Sequence, residues 1–152
     1  MAGHLGDAAA ADGLPLLDLR TLERRPSTFL AHRLLAGALE EGEDEEGDVV
    51  RRSLQQRVGL GLLAAYWARG EDVGDREVVE RIGEAVGMPA ERVVAALDDD
   101  LTATSVRLEE SRAAELGIRA VPTFVFGGRI AVSGAQQPQA LVDAARRVLT
   151  GA

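Results

Sequence analysis

The sequence predicts an α+β chain: a long helical block, then one β-hairpin, then a final helix. Three observations carry that expectation. Apolar residues recur at helical spacing from Phe29 to Leu116, interrupted by glycines at 70, 87 and 117. After Pro122 the period changes to two, with Thr123-Phe124-Val125-Phe126 and Arg129-Ile130-Ala131-Val132 flanking Gly127-Gly128. Pro138 then opens a stripe of Leu141, Val142, Ala145, Val148 and Leu149 at helical spacing.

The elements follow in order. Residues 1–26 read as a tail and connector, in which Ala8 to Ala11 could continue a helix and Leu14 to Leu19 is extended. Pro26-Ser27-Thr28 starts a helix through Leu39, with Ser27 as its N-cap. Glu40 to Asp48 is an acidic run broken by Gly42 and Gly47. Its like charges predict a solvated loop, and its spacing does not follow a calcium-binding EF-hand. Val49 to Arg69 forms one long helix with Val50, Leu54, Val58, Leu62 and Ala65 on a shared face. Gly59 and Gly61 lower helix propensity by ~1 kcal/mol each, so another element is expected to pack closely there. Asp75 caps the next helix, and Val78, Val79, Ile82 and Val86 face inward. Pro89 sits in the first turn of a helix through Leu97. Asp98-Asp99-Asp100 opens another, with Leu101, Ser105, Leu108 and Leu116 inward and Gly117 at its end. The organisation is therefore a tail and connector (1–26), a helical subdomain (27–117) and a hairpin-helix segment (118–152).

Composition excludes several chemistries. The 152 residues contain no cysteine, which removes disulfides, thiolate nucleophiles and cysteine metal sites. Two histidines without cysteine make no zinc site, and no metal is expected. The net charge of −8 repels a phosphate backbone, so no nucleic-acid partner is expected; all 17 basic residues are arginine. No apolar stretch reaches the ~20 residues that span a bilayer. No basic stretch followed by an apolar run opens the chain, so a cytoplasmic protein without a membrane partner is expected.

Four stretches together resemble a known family. They are Leu116-Gly117-Ile118-Arg119-Ala120-Val121-Pro122-Thr123-Phe124-Val125-Phe126, Ala131-Val132-Ser133-Gly134-Ala135-Gln136, Arg25-Pro26-Ser27-Thr28-Phe29-Leu30-Ala31-His32-Arg33-Leu34, and Ala65-Tyr66-Trp67-Ala68-Arg69-Gly70-Glu71-Asp72-Val73. The third resembles an Asn-Thr-x-x-Ala-His-Arg-Leu helix start, with Ser27 where asparagine is usual. The fourth resembles Ala-Tyr-Phe-x-x-Gly-x-Asp-Ile. Both belong to the FrnE-type branch of the DsbA-like thioredoxin-fold family, which is related to 2-hydroxychromene-2-carboxylate isomerases.

The resemblance implies a partial thioredoxin-like fold and membership of a thiol-disulfide oxidoreductase and isomerase group. It implies that Val121-Pro122 is a cis-proline loop. Val121, Pro122, Thr123, Ser133, Gly134 and Gln136 would then face substrate, with Ser133 to Gln136 at the start of the last helix. The family's first strand, Cys-x-x-Cys motif and second strand have no counterpart here. Three readings follow. The chain is a non-redox binding or accessory module. Alternatively it is a cofactor-free or glutathione-dependent isomerase acting on a small aromatic substrate, with Ser27, Thr28 and His32 as catalytic residues. Or it is a fragment of an ordinary oxidoreductase whose start is assigned too far downstream. The strand containing Phe124 and Phe126 would be left with an open edge, which predicts a homodimer or a partner chain supplying the missing half. Residues 14–19 are the internal competitor for that edge.

Overall fold

The computed structural model describes residues 2–14, 25–41 and 48–151. Among them the chain forms seven α-helices and two strands: α1 (Ala2–Ala11), α2 (Phe29–Glu41), α3 (Asp48–Arg69), α4 (Arg76–Ala85), α5 (Ala90–Asp98), α6 (Asp100–Glu115), β1 (Thr123–Phe126), β2 (Ile130–Ser133) and α7 (Pro138–Thr150). The α+β class holds. Two compact units divide the chain, Met1–Val106 and Arg107–Ala152. The division falls inside α6, upstream of the 117/118 boundary read from the sequence. Most of the connector at 15–24 and of the acidic run, at 42–47, lies outside the described residues.

The first unit is a helical bundle in which α2 packs on α3, α4 and α5. Its core contains Leu34 of α2, Val58 of α3, Val79 of α4, and Val93 and Leu97 of α5, all essentially without solvent contact. Each such side chain contributes roughly 1.5–3 kcal/mol by leaving water. Two glycines let these helices approach closely. A Cβ on Gly37 of α2 would collide with the Cβ of Ala96 on α5, and one on Gly61 of α3 would lie 2.9 Å from Ile82 Cγ2 on α4. The close packing expected at Gly61 is thus present, whereas Gly59 meets only Leu35 at 3.7 Å, an ordinary contact.

Caps set the helix boundaries. Asp75 accepts the Glu77 and Val78 N–H groups at 2.8 and 3.3 Å, as its position before an apolar stripe predicts. Pro89 is the N-cap of α5 rather than part of its first turn. Residues 2–11 form a helix where a tail was expected. That helix ends at Gly13, with Leu14 N–H donating to Ala9 O at 2.8 Å.

α6 departs from the expected face. Thr102, Ala103 and Val106 point inward, while Leu101, Leu108 and Leu116 are 78%, 63% and 70% exposed. The first turn is held by its cap. One carboxylate oxygen of Asp99 accepts both the N–H (2.6 Å) and the hydroxyl (2.8 Å) of Thr102. That grip sets the rotation of the first turn and carries Leu101 outward.

The second unit holds the end of α6, the hairpin and α7. Gly117 has φ +75°, and Ile118 N–H returns to Ala113 O at 3.0 Å, ending α6 in a left-handed cap. β1 and β2 pair antiparallel with Thr123 opposite Ser133 and Phe126 opposite Ile130. The connection is therefore three residues rather than two, because Arg129 closes a turn on Phe126 O at 3.0 Å without joining β2. α7 packs on both strands through half-buried Leu141, Ala145 and Val148 and buried Ala144. Val142 and Leu149, expected in the same stripe, are 43% and 85% exposed.

Candidate functional site

The sequence-derived site residues fall into two groups on separate units. Ser27, Thr28 and His32 belong to the first. All three are exposed. Thr28, not Ser27, immediately precedes α2, and its carbonyl accepts the His32 N–H at 2.9 Å. The Ser27 hydroxyl accepts Phe29 N–H at 3.4 Å from one residue further out. No hydrogen bond joins the three side chains to one another. The Ser27 backbone lies against a turn, since a Cβ on Gly74 would fall 2.8 Å from Ser27 O.

The buried polar group on this helix is the neighbour of His32. Arg33 is 9% exposed. Its guanidinium donates to Ala96 O at 3.3 Å and to Asp99 O at 2.8 Å, and lies 5.8 Å from the Phe29 ring centroid. Arg33 thereby serves the Ala96 carbonyl in the last turn of α5, where a cation is also favoured by the helix dipole, and shares the Asp99 carbonyl with the Ala103 N–H. Sequence reasoning assigned it nothing. The available signal was its place four residues after Phe29 and next to Leu34 on an apolar face.

The second group does assemble. The Val121–Pro122 peptide bond is cis. Gly134 N–H donates to Pro122 O at 2.7 Å, Thr123 lies opposite Ser133, and Gln136 Nε2 donates to Ser133 O at 3.1 Å. The Thr123 hydroxyl donates to Ala120 O at 2.6 Å. Val121, Pro122, Thr123, Ser133, Gly134 and Gln136 therefore form one bend and strand end.

One local expectation is corrected. Ser133 ends β2 rather than opening the last helix, whose N-cap is Gln137, without a side-chain hydrogen bond. Of the backbone amides at this turn, that of Gly134 is spent on Pro122 O, and Pro138 has none.

The hydrogen-bond phase identifies the free edge. In an antiparallel pair the bonded positions alternate. The Gly134–Pro122 bond places Phe124 opposite Val132 as a bonded pair, so the N–H and C=O groups of Thr123 and Val125 point away from β2. Among the described residues β1 pairs only with β2, and Val121 makes no hydrogen bond. Val121 is 89% exposed and Val125 51%. Among the described residues this edge is unpaired, and it lies beside an apolar face.

The architecture and this proline bend define the class. Residues 1–146 match the DSBA-like thioredoxin domain, and the chain belongs to that family. A crystal structure of a candidate protein disulfide isomerase from Nitrosomonas europaea shares the fold. It has 17% identity and a TM-score of 0.68, over 98% of this chain and 70% of that one. A search of curated proteins found no relative. No described helix is long and apolar enough to cross a membrane.

Proposed function

We propose that this chain is a non-redox binding or accessory module of the DsbA-like group, which holds an extended polypeptide against the free edge of β1. The observation carrying the proposal is the row of outward backbone groups at Thr123 and Val125, next to exposed Val121. An extended segment can pair with such a row as an added strand. Thiol exchange needs an attacking thiolate, and none of these residues supplies one. The isomerase reading draws less support, because the Ser27 hydroxyl is engaged at the start of α2 and no hydrogen bond links it to His32. The oxidoreductase-fragment reading would require thiols from outside these residues.

Two measurements test the proposal. Insulin reduction by the purified chain should not exceed the buffer rate. A labelled extended peptide should raise its fluorescence anisotropy on binding. Val125→Pro should weaken that binding, since it deletes an outward donor while leaving the β2 ladder paired. Thiol turnover by the pure chain, or peptide affinity indifferent to Val125→Pro in a folded variant, would defeat the reading.

A further inference from the structure

We infer that the occupant of the β1 edge is an extended apolar segment carrying acidic residues at both ends. The inference rests on the reading of that edge as a binding site. From Leu116 to Gln137 the only charged residues are Arg119 and Arg129, in a chain whose net charge is −8. Arg119 lies two residues before Val121, and Arg129 lies in the turn that follows β1. Both are exposed, and neither takes part in an ion pair among the described residues. Arg69, Arg76 and Arg81 are paired with carboxylates, whereas Arg57, Arg112 and Arg147 are unpaired as well among the described residues, so what sets Arg119 and Arg129 apart is their place at the two ends of β1.

The edge thus has cationic ends and an uncharged middle of Val121 to Phe126, about 17 Å when extended. A segment laid along it places its centre beside Val121 and Val125 and its ends beside the two arginines. A second copy of this chain fits less well. Antiparallel pairing of two β1 strands brings Arg119 of one toward Arg129 of the other at each end, and like charges placed opposite are destabilising.

The probe is the peptide Asp-Val-Thr-Val-Thr-Val-Asp with both termini blocked, titrated against the full chain. Its counterparts carry Asn or Lys in place of both Asp residues. The acidic peptide should bind roughly 2- to 30-fold more tightly than the Asn form, as two exposed ion pairs allow. Raising salt should shrink that advantage. The double variant Arg119→Gln, Arg129→Gln should lose the preference, and Arg129→Glu should shift it toward the Lys peptide. Arg57→Gln, on α3 in the other unit, should keep it. Equal affinity for the acidic and Asn peptides would overturn the charge inference and leave the binding edge standing. Failure of all three peptides to bind would sink both. A dimer in light scattering that saturating peptide does not dissociate would give the edge to a second copy and overturn the inference.

Discussion

Gly37→Ala separates helix propensity from packing. In an isolated helix the change stabilises by ~1 kcal/mol, because alanine is the better helix former. Here the new Cβ would collide with the Ala96 Cβ, while the Ala96 Cα lies 3.4 Å away. Neither atom can swing aside as the end of a long side chain can. α2 and α5 must therefore separate, and overpacking of this kind costs about 1–3 kcal/mol. With backbone-linked atoms in the way, the upper part of that range applies. The net effect is a loss of about 1–2 kcal/mol and a Tm several degrees lower. Ala96→Gly alone should cost about 1 kcal/mol from propensity. The double variant restores the clearance and exchanges the two propensities, so it should melt near the parent, with a coupling of about 2 kcal/mol. Urea unfolding followed by far-UV circular dichroism provides the four free energies. A Gly37→Ala protein more stable than the parent, or an additive double variant, would refute the reasoning.

Other outcomes are expected from the same structure. Arg33→Met should cost about 1–3 kcal/mol, because it removes the buried donor to the Ala96 and Asp99 carbonyls, of which Asp99 O keeps the Ala103 N–H at 3.1 Å; denaturant unfolding measures it. Asp75→Ala should cost about 1 kcal/mol through loss of the α4 cap, and Asp75→Asn much less. Hydrogen bonding holds three carboxyls below their ordinary values of 4.5 for Glu71 and 3.8 for Asp98 and Asp99. The donors are Arg69 and then Arg81 for Glu71, Arg76 for Asp98, and the Thr102 backbone and hydroxyl for Asp99. The stability they confer is present above those ordinary values and lost as pH falls through the lower folded ones. Tm should be level near neutrality and decline below about pH 4, and Thr102→Val should soften the decline.

Several elements were legible because one local signal decided them. Asp75 before an apolar stripe fixed the start of α4, and Gly127-Gly128 between alternating runs fixed the hairpin. α6 was not legible, since its rotation depends on how Asp99 grips Thr102 and how Arg33 reaches across from α2 to the Asp99 carbonyl. Leucine spacing alone pointed to the opposite face. The role of Ser133 was misread for a smaller reason. Arg129 is an extra residue in the connection, so β2 runs one residue later and takes in Ser133. The proline-bend cluster was recognisable from its resemblance to a family. The role proposed for Arg119 and Arg129 was not, because two scattered arginines acquire meaning only beside the outward row of β1 backbone groups.

The two units differ sharply in what holds them. Among the described residues of the second unit, only Ala144 is buried, whereas the first buries a full set of leucines and valines. Local opening costs little where few apolar contacts must be broken. Hairpin amides should therefore exchange with deuterium through openings that leave the helical core protected. A ligand that binds only the closed hairpin adds RT ln(1 + [L]/Kd) to its opening free energy, ~2.7 kcal/mol at a hundredfold excess over Kd. The strand edge that recruits a peptide would then draw its own rigidity from the peptide, and occupancy could be read from slowed exchange at Phe124 and Val132 while the core amides stay unchanged.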